Sequence, residues 1–536
     1  MAHDTVNRPF YCPVRTLKSS HPSPLRTRRW LPRLGLTVLA WSLCQSPAWP
    51  QHRNALPSLG EEAGISLAAE RKLGDRIIRE LYRDPDYLED AVLDEYIQQL
   101  WAPLVDAAAA RGELSAELRE RFAWRILLGR DRSVNAFALP GGYLGVHLGL
   151  IAVVTSRDEL ASVLAHELSH VTQRHIARQI EAQGRMTPWV IGSLILGALA
   201  ASKNPQATQA LIVGGQAAAI QSQLSYSRDM EREADRIGFG VLTDAGYDPR
   251  GFVTMFGKLQ QAAGVNDNGA FPYLRSHPLT TERIADMQSR LPMGATATAS
   301  APSQDLEQAM VAARARVLSQ TQVDSLRAWT RLPLTLPAQA TPMQQAGSLY
   351  AAALAHQMLR EPEQAQQQWQ RLQALTASHP AAARLTRLLG AELQAARGEH
   401  AQVVQGLMPS VMVGRWPRPE LVAVAQSLVR LSGHPAVAAV VQQLRLQVQD
   451  TPHDAQAWNL MAALMATQGQ KLGSLRAEGE AQLARMDLQG ALDRFRAAQD
   501  VARLGTLQAG DHIEASIVDT RVRDVQARLR EMQLER

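Results

Sequence analysis

Apolar residues spaced three and four apart run through Leu67–Tyr82 and Leu93–Ala109, within a stretch from Leu56 to Phe122 that reads as helical throughout. The period then changes. Trp124-Arg125-Ile126-Leu127-Leu128 and Ala136-Phe137-Ala138-Leu139 are short apolar runs of strand length. Pro140-Gly141-Gly142 turns the chain, and Tyr143–His147 returns as a third strand. Ser156-Arg157-Asp158-Glu159 opens the next helix in the manner of a capping box, and that helix is expected to reach Ala182. Helices follow over Ser227–Gly238 and Asp248–Ala263. Before them lie two apolar stretches, Trp189–Ala201 and Ala207–Ile220, broken by Lys203-Asn204-Pro205. Each is shorter than the roughly 20 residues a membrane span needs. They read as a buried helical pair over a site, or as a lid or a membrane-touching hairpin giving peripheral contact through 189–220.

Met293–Ser303 is rich in Gly, Ala, Thr, Ser and Pro and reads as a linker. Beyond it the composition turns to Ala, Gln, Leu and Arg with helical periodicity throughout. Ala365, Trp369 and Leu372 show the four-then-three spacing of the second helix of a tetratricopeptide repeat, with Pro380 near its expected end. Ala491, Phe495 and Ala498 repeat it, and Trp458, Met461 and Ala462 resemble a first helix. The segments near Ala401 and Ala436 fit loosely, so about four degenerate repeats stacked as a solenoid are expected, with a generic helical bundle as the alternative. The predicted fold is mainly α: an α+β domain over 49–292 with a small sheet, a linker over 293–304, and TPR-like helical hairpins over 305–536.

Composition refines this in two ways. The net charge of +5 suggests a basic protein, but the first 48 residues hold seven of the 56 Lys/Arg and only one of the 51 acids. The remainder carries 49 bases against 50 acids, a net of −1, so there is no electrostatic case for nucleic acid. Those 48 residues read as an export signal: Arg26, Arg28, Arg29 and Arg33 precede an apolar run from Leu34 to Leu43, and Ser46-Pro47-Ala48 puts small residues at a cleavage site. Thr27-Arg28-Arg29-Trp30-Leu31 faintly resembles a twin-arginine signal, with general secretion the leading alternative. Leu43 spoils a lipoprotein reading of Cys44. Both cysteines, Cys12 and Cys44, fall inside the leader, so a processed chain would hold together without thiols or disulfides.

The chemistry centres on His166-Glu167-Leu168-Ser169-His170. Residues four apart on a helix share a face, so His166 and His170 can offer two imidazole nitrogens to one ion. Glu167 sits where a carboxylate can accept a proton from water beside that ion. A third ligand is still needed, and the continuation that would supply a third histidine six residues on is absent: positions 173 and 176 are Gln and Ile. His175 lies about 140° round a continuous helix from His170, which predicts a surface or supporting role. Downstream, in Ser227-Arg228-Asp229-Met230-Glu231-Arg232-Glu233-Ala234-Asp235, Glu231 and Asp235 again share a face. Glu231 would complete a two-His, one-Glu site, Asp235 would orient a ligating imidazole, and Glu233 is expected to point to solvent.

His-Glu-Leu-Ser-His followed by Ser-Arg-x-x-Glu-x-x-Ala-Asp resembles the gluzincin peptidases that include the CAAX prenyl endopeptidase and the heat-shock protease HtpX. Those relatives cross membranes several times, whereas this chain is similar to a soluble, exported branch through Asn135-Ala-Phe-Ala-Leu-Pro-Gly-Gly142, Arg476–Leu507 and the repeats. The resemblance implies one zinc ion on His166, His170 and Glu231, with Glu167 as general base and Asp235 behind the ligands. It singles out Ser276-His277-Pro278-Leu279-Thr280, followed by Glu282 and Arg283, and His277 is expected near the zinc as a fourth ligand or a transition-state donor. The alternative for that segment is helix capping. Asn135, Ala136 and Phe137 are expected to form an edge strand that pairs with extended substrate, although core packing also accounts for them. The resemblance further implies a periplasmic location, stalled or misfolded outer-membrane proteins as substrates, and the barrel-assembly machinery as partner of the repeats. A chaperone or assembly scaffold with latent catalysis is the alternative from a different class.

Overall fold

The computed structural model describes residues 65–182, 226–264, 271–291, 305–408, 414–431, 433–505 and 511–534. The leader, the apolar stretches within 189–220 and the linker over 293–304 lie outside the described residues.

Helix α1 (Leu67–Leu81) starts at Ser66, whose hydroxyl accepts from the Ala69 N–H, and buries Leu73, Ile77 and Ile78. Helix α2 (Ala91–Ala110) starts at Asp90, whose carboxylate accepts from the Leu93 N–H. Four strands, β1 (Tyr87–Leu88), β2 (Arg125–Gly129), β3 (Ala136–Leu139) and β4 (Tyr143–His147), form one sheet in the order β1-β2-β4-β3. The β2–β4 pair is parallel and the other two pairs are antiparallel. The turn from β3 to β4 needs its glycines: Gly141 and Gly142 sit at φ of 76° and 83°. A Cβ on Gly142 would also lie 2.7 Å from that of Phe122.

β3 ends the sheet, and α5 (Arg157–Thr172) packs against it. Helix α5 is buried along almost its whole length, with a start fixed by Ser156, which accepts from the Glu159 N–H. The helix does not continue to Ala182 as its periodicity suggests. It stops at Thr172, Arg174 takes a left-handed φ of 52°, and α6 (His175–Ala182) leaves in a new direction. Arg174 is anchored there through Glu70 at 2.9 Å. Helix α7 (Arg228–Asp244) crosses α5 closely: a Cβ on Gly238 would stand 3.1 Å from the backbone of Ala165 and His166. Helix α8 (Arg250–Gly264), the short α9 (Tyr273–Ser276) and α10 (Thr281–Ser289) complete the surroundings of α5 and α7.

Twelve helices follow among the described residues: α11 (Leu306–Ser319), α12 (Val323–Thr335), α13 (Pro342–Met358), α14 (Pro362–Thr376), α15 (Pro380–Ala396), α16 (His400–Leu407), α17 (Arg418–Val429), α18 (Val437–Asp450), α19 (Ala455–Thr467), α20 (Lys471–Ala484), α21 (Leu488–Leu504) and α22 (Asp511–Leu534). Each packs chiefly on near neighbours in sequence, the habit of helical repeats. Ala365, Leu372, Ala491, Phe495 and Ala498 are buried, as are Trp458, Met461 and Ala462, so the repeat-spaced positions do face the interior. Trp369 is partly buried and donates its indole N–H to the Thr386 carbonyl. The first of these helices also shares the core of the preceding region, because α11 packs on α4 (Leu148–Val153) and buries Met310 and Val311 in the cluster that holds Leu148 and Ile151. No described helix is long and apolar enough to cross a membrane.

Candidate metal centre

Helix α5 carries His166, Glu167 and His170, and all three are fully buried where α7 and the α9–α10 connection close over them. Glu231 stands on the first turn of α7, which Ser227 caps by accepting from the Met230 N–H. His277 follows α9 and lies between Tyr273 and Pro278. One ligand atom from each of His166, His170, Glu231 and His277 falls within 4.8 Å of the others. Nε2 of His170 lies 3.0 Å from Nε2 of His166, and the Glu231 carboxylate is 3.5 Å from each of those nitrogens. His277 Nδ1 is 3.3 Å from His166 Nε2 and 3.0 Å from Glu231 Oε1.

A tetrahedral zinc ion with bonds of about 2.0–2.1 Å separates its ligand atoms by about 3.3 Å. The donor set therefore matches zinc in type, number and spacing. Glu167 supplies a second sign of fit: both its carboxylate oxygens are buried without a hydrogen-bond partner, and Oε1 lies 3.4 Å from His277 Nε2. An unpartnered buried carboxylate is costly, and a cation with its water would relieve that cost.

The supporting groups explain how the cluster holds together. His166 Nδ1 lies 3.0 Å from Asp235 Oδ1, one turn after Glu231 on α7. Arg283, from α10, donates to both Asp235 oxygens at 2.6 and 2.8 Å, approaches Glu231 at 2.7 Å, and donates to the Pro278 carbonyl. One buried cation thus balances two buried carboxylates and ties them to the segment that carries His277. Burial disfavours the charged form of His166, yet Asp235 and Glu231 beside it raise its pKa to about 10. Burial likewise opposes ionisation of Glu231, but His277 and His166 hold it well below the usual carboxylate range. Burial, reinforced by the neighbouring His166, drives His170 the other way, toward the neutral form that binds metal. Tyr226 stacks on His170 with centroids 3.9 Å apart, and Tyr273 stacks on His277 at 4.5 Å.

His166, Glu167, His170, Glu231 and His277 are therefore brought together, with Asp235 directly behind His166. Of the two roles expected for His175 the structure gives it the supporting one, though not by the predicted geometry, and the expectation for Glu233 needs correction. The break at Arg174 removes the continuous helix on which the 140° angle rested, and α6 returns His175 to the site, where it is fully buried with Nδ1 2.8 Å from His170 Nδ1. Glu233 does not simply point to solvent; it meets His175 Nε2 at 3.1 Å and Arg178 at 2.8 Å. In the candidate substrate strand, Asn135 and Ala136 are buried, while Phe137 turns to the other face of the sheet and packs edge-on against His147 over Gly145. The roles of Arg283, Tyr226 and Tyr273 were missed in the sequence. Only Arg283 left a signal, since two carboxylates and a pair of imidazoles on buried faces require a balancing cation.

The sequence matches peptidase family M48 over residues 94–291. A beta-barrel assembly-enhancing protease of Escherichia coli is 35% identical over 251 residues, which cover 46% of this chain and 49% of that protein. In that comparison the chain spans about half the length of its relative. The protein of the same name in Yersinia pestis is 30% identical over 464 residues, covering 85% of this chain and 90% of its own length. The mitochondrial metalloendopeptidase OMA1 of Arabidopsis thaliana is 29% identical over 274 residues, 50% of this chain and 52% of its own.

Proposed function

The chain belongs to peptidase family M48, in company with the beta-barrel assembly-enhancing proteases, and from that premise we propose that it is a zinc-dependent endopeptidase of the periplasm that cuts stalled or misfolded outer-membrane proteins. The observation that carries the reading is the buried set His166, His170, Glu231 and His277 with Glu167 unpartnered beside it. When bound, zinc supplies a Lewis acid that polarises the scissile carbonyl and lowers the pKa of water toward neutrality. His166, His170 and Glu231 hold it. Glu167 takes the proton of the attacking water and delivers it to the leaving amine. Asp235 and Arg283 keep His166 and Glu231 in place. Strand β3 ends its sheet beside α5, a position from which Asn135–Phe137 could align an extended substrate by strand addition. Such backbone pairing suits unfolded polypeptide. The TPR-like helices would then dock the barrel-assembly machinery.

One observation favours a second, coexisting reading as an assembly scaffold with latent catalysis. His277 Nδ1 lies 3.3 Å from His166 Nε2 and 3.0 Å from Glu231 Oε1, near enough to act as a fourth ligand that closes the resting site. Zinc content and casein cleavage of wild type and Glu167→Gln separate these readings. Zinc in both with cleavage in the wild type alone assigns the peptidase and its base. Zinc in both with cleavage in neither assigns the scaffold. A wild type purified without chelator and lacking zinc overturns the metal centre.

A further inference from the structure

The two α5 imidazoles are supported differently. His166 turns its Nδ1 to a buried carboxylate, Asp235. His170 turns its Nδ1 to another imidazole: the two Nδ1 atoms of His170 and His175 are 2.8 Å apart, so one carries the shared hydrogen and the other accepts it. The far nitrogen of His175, Nε2, lies 3.1 Å from Glu233 Oε2, which also accepts from Arg178 at 2.8 Å. A carboxylate oxygen only accepts, so Nε2 of His175 must carry the hydrogen. Neutral His175 then has a lone pair on Nδ1, and the hydrogen between the rings belongs to His170 Nδ1. This arrangement leaves Nε2 of His170 bare and aimed at His166 and Glu231. The opposite tautomers would set a lone pair of His175 against the Glu233 carboxylate and put a hydrogen on the atom that must bind the metal.

We propose that His175 and Glu233 are positioning residues, a hydrogen-bond relay that fixes the proton of His170 on Nδ1 and so presents Nε2 to the metal. The inference rests on the zinc reading of the site. The relay exists because of the helix break: the left-handed turn at Arg174, anchored by Glu70, swings α6 so that His175 and Arg178 both face α7. It also differs from the Asp235 arm in where it ends. Asp235 and Arg283 are buried, whereas the side chains of Glu233 and Arg178 are 29% and 48% exposed. Of the two α5 imidazoles, His170 is thus the one whose support reaches the surface.

The test measures zinc release into a chelator, with cobalt(II) absorption as the spectroscopic readout, for wild type, His175→Leu, His175→Asn and Glu233→Gln. Partners that orient metal-bound histidines typically cost about 10–100-fold in metal affinity when removed. His175→Leu is expected to release zinc about 10–100-fold faster and to shift the cobalt bands. His175→Asn keeps an oxygen acceptor for His170 and is expected to recover part of the loss. Glu233→Gln, at a partly exposed position, is expected to speed release several-fold with little change in thermal unfolding of the zinc-free protein. A folded His175→Leu that releases zinc within about twofold of wild type, with unchanged cobalt bands, overturns the relay. Should His175→Leu fail to fold, Glu233→Leu, which removes the acceptor for His175 Nε2 altogether, decides alone, and unchanged release there overturns it equally. Wild type that binds zinc but cleaves no casein defeats the peptidase reading and leaves the relay standing.

Discussion

At His277 the geometry admits two roles that one substitution separates. Its ring reaches both the ligand cluster, through Nδ1, and Glu167, through Nε2 at 3.4 Å. As a resting fourth ligand it would exclude the water that Glu167 activates, and His277→Ala should then cleave casein faster than wild type while releasing zinc more readily. As a transition-state donor its loss should slow cleavage by about 10²–10³-fold, the cost seen when a donor to developing negative charge is removed. Unchanged cleavage with unchanged zinc would remove His277 from the chemistry altogether. Arg283 makes a companion case. Among the described residues it is the arginine that touches both Asp235 and Glu231, and breaking a buried ion pair from one side costs about 3–5 kcal/mol. Arg283→Gln is therefore expected to lower the thermal midpoint and weaken zinc binding together. A variant that loses neither would show that the two carboxylates are compensated elsewhere.

The site is as much a matter of how closely two helices approach as of which residues they carry. A Cβ at Gly238 would meet the α5 backbone at 3.1 Å, on the turn that bears His166, and main-chain atoms inside a packed helix cannot yield as a side chain can. Gly238→Val should push α7 from α5, costing about 1–3 kcal/mol as an overpacked contact. Because Glu231 rides on α7, zinc should also be released faster. Chemical unfolding and chelator-driven release would read the two effects separately, and an unshifted release rate would mean that α7 adapts without moving Glu231. The sequence disclosed much of this region, for identifiable reasons. His166, Glu167, His170, Glu231 and Asp235 obey the one-turn spacing of helices, which is a local property. β3 and β4 were legible to the residue because their apolar runs are bounded by Pro140-Gly141-Gly142. The helix α3 (Ala116–Arg121) falls within the stretch read as helical, whereas the two-residue β1, which interrupts that stretch, and the short helix α4 carry too few residues for periodicity to register. The break after Thr172 was hidden for another reason: Gln173-Arg174 contains neither Gly nor Pro, and the left-handed turn is sustained by Arg174 reaching Glu70, a partner 104 positions away. That break is what brings His175 to its supporting place behind His170 and against Glu233.

The sequence predicts a linker over 293–304, but packing and charge join the helices that follow it to the residues before it. Four arginines from four separate places in the repeats reach one short acidic segment: Arg485 pairs with Glu89, Arg314 with Asp90, Arg418 with Asp94 and Arg384 with Glu95. Three of them hold a second acid as well: Arg314 meets Glu392, Arg384 meets Glu420 and Arg418 meets Asp454. The start of α2 is therefore gripped from α11, α15 and α17 and by Arg485 at the end of α20, and moving it away from them must break several ion pairs together. The Asp90–Arg314 pair is the most deeply buried of the four contacts, with side-chain exposures of 9% and 8%. Burial opposes ionisation of Asp90, but the Arg314 guanidinium holds its pKa below the ordinary 3.8. A carboxyl whose pKa is depressed on folding stabilises the fold at every pH above its unfolded value and loses that contribution as pH falls through its folded one. Asp90→Asn should thus be less stable than wild type at neutral pH by up to about 3–5 kcal/mol, the cost of breaking a buried ion pair from one side, reduced by the contact that Arg314 keeps with Glu392. That difference should hold steady from pH 7 to 5 and shrink only below about pH 3.8, as wild type too becomes uncharged at this position. Urea unfolding of both proteins across that range reads the difference directly. A gap that is absent at neutral pH, or that widens on acidification, would show that the two parts are joined by the apolar packing of α11 on α4 and not by the arginine grip on α2.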